Sequence, residues 1–252
     1  MGDRGIGRSA AVLLVLFACA LCGCGEGTRQ TPPAASPPVA ARSFNSKVPF
    51  LVWIARDDGG GWEDIGTTPA AKPIEIPACW AWGVTPEGGV DIRAVAQEIV
   101  AQKIPGLRIE SAKNDDLAHL KNLKRLRWLD IIYSVDITDA GLLQLKGLKE
   151  LQRLVLLQTQ VTDAGLVHLV NLKGLLSLSL RGTEVTDTGL VQLTKLKGLQ
   201  HLELSDTKIT NAGLVHLKGL QALRTLGLDA TEVTEVGVEE FKQAMPNVEV
   251  QH

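Results

Sequence analysis

From Thr138 onward the chain repeats itself at a fixed interval. Thr138, Thr162, Thr186, Thr210 and Thr234 open successive units 24 residues apart, and the preceding unit, Lys113 to Ile137, is one residue longer. A unit this short has too few apolar residues to enclose a core alone. It must be stacked against copies of itself, at least three of them, so the positions that recur build a shape. Function is then sought among the positions that vary.

Inside a unit two periodicities alternate. The segments "LQRLVLL", "LLSLSLR", "LQHLELS" and "LRTLGLD" place apolar residues at every second position. Each predicts one strand with a buried face, carried by Leu154 and Leu156, Leu178 and Leu180, Leu202 and Leu204, and Leu226 and Leu228. Stacked units pair these strands into a parallel sheet with about 4.8 Å between neighbours. The segment "TDAGLVHL" predicts a short helix: Thr serves as N-cap, Asp lies in the first turn where the helix dipole favours an anion, and the next leucines turn inward. Gly141, Gly165, Gly189 and Gly213 allow each helix to approach its neighbour closely.

The frame L-x-x-L-x-L-x-x-T-x-V-T-D-x-G-L-x-x-L resembles leucine-rich repeats, particularly the bacterial TDAGL type related to the cysteine-containing class. The resemblance covers about residues 93–252, some five 24-residue repeats plus terminal caps. It implies an α/β fold: a right-handed solenoid with a concave parallel sheet and short helices on the convex side. Thr159, Thr183, Thr207 and Thr231 stand where related classes carry Asn or Cys, and their hydroxyls are expected to bond the backbone of the turn. The last unit leaves the frame at "FKQAMPNVEVQH", and with Glu239 and Glu240 it suits a polar C-terminal cap.

The resemblance also implies that variable positions on the concave strands bind a ligand. The candidates are Trp128, Asp130 and Ile132; Arg153, Val155 and Leu157; Ser179 and Arg181; His201, Glu203 and Ser205; and Asp229. The first two of these strands are apolar for an exposed surface, as a partner site would be. Equally, an N-terminal cap folded over them would make Trp128 and Ile132 interior. Ser179, His201 and Glu203 on adjacent strands lack a nucleophile elbow or oxyanion-hole motif, so no enzyme is expected. His119, His168 and His216 share a helix column, but Gln192 separates the last two by about 10 Å, which leaves no metal site. No cofactor is expected. Lys146, Lys149, Lys173 and Lys197 read as solvated turn residues balanced by nearby acids.

Before the repeats the texture differs. Arg4 and Arg8 precede an apolar run from Ala10 to Leu21, the pattern of an export signal over residues 1–23. Its end, "LCGC", resembles a bacterial lipobox, which implies lipidation at Cys24 and a membrane contact through that lipid anchor only. Residues 24–46, rich in Pro, Ala, Ser and Thr, are expected to be a disordered tether in the cell envelope. Gly25, which follows Cys24, is compatible with outer-membrane sorting, though the leaflet stays open.

Residues 47–92 carry Trp53, Trp62, Trp80 and Trp82 and predict a small β unit, either a cap or a stacking platform for carbohydrate. Within it, "DDGGGW" lacks the Lys-Ser/Thr of a phosphate loop and reads as a turn. Cys79, the one thiol left once the signal is removed and Cys24 lipidated, reads as a small buried hydrophobe. One amphipathic helix follows, with Ile92, Val95, Ala96, Ile99 and Val100 on its apolar face and Pro105 beyond its end. The net charge of -2 removes the basic excess that a nucleic-acid partner demands. The sequence therefore points to a protein-interaction module of a cell-envelope lipoprotein, with a glycan as the alternative ligand.

Overall fold

The structure is a computed structural model that describes residues 40–55, 62–70, 72–77 and 81–252, the Trp62 side chain excepted. The signal segment, Cys24, the tether up to residue 39, the "DDGGG" turn, Cys79 and Trp80 lie outside the described residues.

Twelve strands and seven α-helices are found among the described residues. Strands β6 (Gly106–Glu110), β7 (Trp128–Ile132), β8 (Arg153–Leu157), β9 (Ser177–Ser179), β10 (His201–Glu203), β11 (Thr225–Gly227) and β12 (Glu249–Gln251) run parallel in sequence order. Between them lie α1 (Ile92–Gln102), ahead of β6, then α2 (Asn114–Leu120), α3 (Asp139–Leu142), α4 (Asp163–Leu166), α5 (Asp187–Leu193), α6 (Asn211–Leu217) and α7 (Glu235–Ala244). This is the leucine-rich-repeat solenoid. The leucines of the strands and the helices meet in one continuous core in which Leu154, Leu156, Leu166, Leu169, Leu172 and Leu175 are wholly buried in a single turn. Removing one such side chain to Ala costs about 2–5 kcal/mol.

The motif "TDAGL" acquires a more specific reason than helix capping. Asp139 reaches into the next unit, where its Oδ1 accepts the Thr162 backbone N–H at 2.9 Å and its Oδ2 accepts the Thr162 hydroxyl at 2.8 Å. Asp163 does the same to Thr186, and Asp187 to Thr210. Thr162 Oγ1 in turn accepts the Ala164 N–H, so the capping hydroxyl is itself held by the preceding unit. The glycine of the following unit makes the space: a Cβ on Gly165 would collide with Asp139 Oδ1, and one on Gly189 with Asp163 Oδ1. At the two ends of the row Asn114 and Asn211 replace Asp and pair with Thr138 and Thr234 through Oδ1 and Nδ2.

Thr159, Thr183, Thr207 and Thr231 each donate to a carbonyl three residues back in their own turn, for example Thr183 to Leu180 at 2.6 Å. They close individual turns rather than linking one to the next. Just after each strand the chain passes through the left-handed region, at Tyr133, Gln158, Gly182, Asp206 and Ala230, and a glycine serves this need in one turn alone. The additional residue of the longer unit is absorbed in the turn 134–137, where Val135 protrudes.

The N-terminal β unit continues the solenoid sheet. β5 (Ala81–Pro86) pairs parallel with β6, β2 (Phe50–Ala55) lies antiparallel to β5, and β3 (Trp62–Thr68) forms the edge, so ten strands share one sheet. Ordered structure begins before residue 47. β1 (Arg42–Phe44) pairs with β4 (Ile74–Ile76), and Phe44 enters the core beside Trp82 with ring centroids 5.5 Å apart. The apolar ring of Phe44 draws this part of the expected tether into the fold. Val100, expected on the buried face of α1, is instead 63% exposed, because the stripe that meets the core is Val95, Ala96 and Ile99. At the other end "EVQ" adds strand β12 to the cap.

Candidate functional site on the concave face

Strand alternation sends Trp128 and Asp130 to the concave side and Leu129 and Ile131 to the core. The same alternation in β2 sends Trp53 to the concave side. Its indole lies across Gly83 and Gly106, where a Cβ on either would strike the ring, and packs with Ala55, Ala81 and Trp128. Two glycines thus form a flat floor for one tryptophan. Trp53 is 2% exposed and Trp128 3%, so the aromatic start of the concave face is filled by the chain itself. The cover is a neighbouring strand of the same sheet, and Ile132, farther along β7, stays half-buried.

Of the four N-terminal tryptophans, the two whose side chains are described, Trp53 and Trp82, do not share a face. Trp82 faces the opposite side of the sheet, wholly buried against Phe44, with the Arg42 guanidinium 5.0 Å from its ring centroid. Adjacent residues of a strand point to opposite faces, and Trp53 sits opposite Gly83, the residue after Trp82.

Beside the aromatic pair lies a chain of charges. Asp130 is 4% exposed and accepts from Arg108 Nη2 at 3.4 Å and from Arg153 Nε at 3.2 Å. Two guanidiniums thus compensate one buried carboxylate. Arg108 also acts on Asp64 of β3, whose pKa is raised by desolvation and lowered in part by that guanidinium. Val155 and Leu157 are buried alongside, at 8% and 7% exposure, which corrects their assignment to an open apolar patch. On the adjacent strands Val155 lies in register with Asp130 and Ser179, and Leu157 with Ile132.

Farther along, the surface becomes polar. His201 is 7% exposed, and its Nδ1 lies 2.8 Å from Thr225 Oγ1 on the next strand. Burial, then Arg224 and Arg153, lowers its pKa below 6.5, so the neutral imidazole is favoured. Glu203 folds over Gly227, and its Oε1 accepts the Ser205 N–H at 2.8 Å. Ser205 is wholly buried, so it too is removed from the accessible set. His201 and Glu203 are thereby engaged with Thr225 and Ser205, and no hydrogen bond joins either to Ser179 among the described residues.

The concave candidates that keep contact with solvent are Ile132, Arg153, Ser179, Arg181 and Glu203, half-buried, and Asp229, exposed. Ser177 and Thr225 join them as half-buried residues of the same columns. Trp53 is the participant that periodicity within the repeats could not supply. Its signal was the glycine pair Gly83 and Gly106, each on a strand that would otherwise carry a side chain. Among the described residues no group of His, Cys, Asp and Glu is arranged to hold a metal ion, and no helix is long and apolar enough to cross a membrane.

No protein family and no curated protein matches this sequence. Similar solved structures include an internalin from Listeria monocytogenes, 18% identical over 64% of this chain and 50% of its own, with a TM-score of 0.44. Another is the TLR13-ssRNA13 complex, 24% identical over 65% of this chain and 23% of that one, with a TM-score of 0.49. The chain spans half or less of either neighbour.

Proposed function

We propose that this chain is a non-catalytic protein-interaction module, exported and held in the cell envelope by lipid on Cys24, that takes a protein partner on the later strands of its concave face. The supporting observation is the contrast along that face. From Trp53 to Leu157 it is filled by its own side chains, whereas from Ser177 to Asp229 it presents Ser179, Arg181, Glu203, Thr225 and Asp229 to solvent, with no element over them among the described residues. A row of polar groups fixed on parallel strands about 4.8 Å apart is a rigid, preorganised surface, which lowers the entropic cost of binding.

The test compares capture of envelope proteins by the wild type and by an Arg181→Glu, Asp229→Lys variant, with circular dichroism showing that both are folded. A partner that is retained by the wild type and lost by the variant supports the concave reading. Identical capture by both overturns it. Labelling with a radioactive fatty acid, abolished by Cys24→Ala, tests the anchor separately.

A further inference from the structure

We propose that one edge of the solenoid seats directly on an anionic phospholipid surface, beyond any contact made by a lipid anchor alone. The edge is formed by the turns that lead from each helix to the next strand. Those turns lie on one another: Gln152 N–H donates to Arg127 O, Leu176 to Gln152, Gln200 to Leu176, and Arg224 to Gln200. Residues at matching positions therefore form straight rows about 4.8 Å apart.

Charge is strongly divided between the two edges. The helix-to-strand segments 121–127, 146–152, 170–176, 194–200 and 218–224 hold eleven Lys and Arg and one acid, Glu150. The strand-to-helix segments 133–139, 157–163, 181–187, 205–211 and 229–235 hold nine acids and two cations, Arg181 and Lys208. Apart from Glu150 beside Lys149, the acids of these turns lie across the width of the solenoid, so most of the lysines are not balanced by neighbouring acids. A net charge of -2 conceals this division. Lys124, Lys149, Lys173 and Lys197 occupy the same position in four consecutive turns and are all exposed. Lys173 and Lys197 donate to the Lys195 and Gly219 carbonyls, bonds that leave their charge uncompensated and hold them along the edge.

A second feature separates a lipid surface from a soluble polyanion. Where this edge meets the end of α1 there is a groove of about 300 Å³ with Ile99, Ile104, Leu123 and Leu126 in its floor. Val100, at 63% exposure, stands at its side, and Lys103, Lys124 and Arg125 surround it with no acid among its lining residues. A polyphosphate or anionic glycan would use the cations alone. A phospholipid uses both parts, its phosphate on the cations and the start of its acyl chain on the apolar floor. The acidic edge is repelled by the same surface, so the solenoid stands on its basic edge with the concave face free to the side.

The full chain is mixed with vesicles of phosphatidylcholine and with vesicles containing about one quarter phosphatidylglycerol, a moderately anionic composition. The N-terminal segment, whose Arg4 and Arg8 also favour the anionic vesicles, is common to every variant, so differences between variants report the edge. Wild type is expected to prefer the anionic vesicles, and the preference to fall with added salt. The side chains of Lys124, Arg125 and Lys149 make no hydrogen bond or ion pair among the described residues, so Lys124→Gln, Arg125→Gln, Lys149→Gln should leave the fold intact. It should lower partition into anionic vesicles by about a hundredfold, at about fivefold per charge. Neutralising the opposite edge with Glu184→Gln, Asp206→Asn and Glu232→Gln should not weaken it. Val100→Ser should weaken vesicle binding while leaving binding to soluble polyphosphate unchanged.

Equal partition of wild type into both vesicle types, or equal loss in the two charge variants, overturns the proposal. So does vesicle binding that is insensitive to Val100→Ser and is displaced by polyphosphate, which would make the edge a polyanion site.

Discussion

Asp163 holds Thr186 across the boundary between two repeats, with its Oδ1 2.8 Å from the Thr186 backbone nitrogen and its Oδ2 2.6 Å from the Thr186 hydroxyl. Gly189 supplies the space that the carboxylate occupies. The three conspicuous letters of the repeat are therefore one device that joins adjacent units. In a solenoid the stability of such interfaces decides whether the array unfolds together.

Asp163→Ala should lower unfolding stability by about 2 kcal/mol, since it removes two charge-assisted bonds at a partly buried site. Asp163→Asn should stay within about 0.5 kcal/mol of wild type, a surface-like effect, because Asn114 and Asn211 already perform the role with Nδ2 donating to the Thr hydroxyl. Gly189→Ala should cost about 2–3 kcal/mol by overpacking against the carboxylate. Combined with Asp163→Ala it should cost much less than the sum of the two. Urea titrations of the four variants check all of these outcomes.

The second prediction concerns the floor beneath Trp53. Gly83→Ala places a methyl group where the indole lies and against the Gly106 carbonyl oxygen, so the ring must leave its contact with Trp128 and the backbone of β5 and β6 must shift. A loss of about 1–3 kcal/mol is expected from overpacking, with tryptophan emission moving to the red. In the Trp53→Phe background Gly83→Ala should cost less, since the smaller ring has vacated that space and the Gly106 carbonyl is the contact that still opposes the methyl group.

Much of this architecture was legible in the sequence, and the parts that were not share a cause. Alternation identified the buried leucines of β8 to β11 and placed Arg153, Ser179, Glu203 and Asp229 on the other face, because side-chain direction in a strand is a local property. Coverage is not local. Whether Val155 or Leu157 reaches solvent depends on side chains of adjacent strands, 24 or 25 residues away, and the fate of Trp128 depends on Trp53, 75 residues earlier. The Asp-to-Thr link had a visible sign in the replacement of Asp by Asn at Asn114 and Asn211, with Glu235 standing in the column where no further Thr follows, but its partner lies in the next unit. Phe44 was a single ring within a Pro- and Ala-rich segment, too little to declare a strand without knowing that β4 and Trp82 await it.

The third prediction follows from Asp130, which pairs with both Arg108 and Arg153. Asp130→Ala should cost about 2–3 kcal/mol, toward the lower end for a broken buried pair because neither guanidinium is fully desolvated. Arg153→Ala should cost less, since Arg108 still faces the carboxylate. Chemical denaturation of the two variants separates these outcomes, and a larger loss for Arg153→Ala would show that Asp130 is not the hub of the cluster.

The final prediction has a sign fixed by His201. Its native pKa lies below 6.5 because burial, Arg224 and Arg153 all disfavour the imidazolium. The unfolded chain, whose histidine titrates near the ordinary value of about 6.5, then binds a proton at pH values where the native imidazole does not. Stability contributed by the neutral ring is therefore fully present above about pH 6.5 and is lost as the pH falls through that value toward the native pKa. The difference in unfolding free energy between wild type and His201→Gln should thus decrease with acidification over this window. Arg224→Gln removes one of the two cations that lower the native pKa, so an NMR titration of His201 should move upward in that variant and the window of pH-dependent loss should narrow. A difference curve that stays flat across this range, or that rises as the pH falls, would mean that the charged form of His201 is not disfavoured in the folded protein.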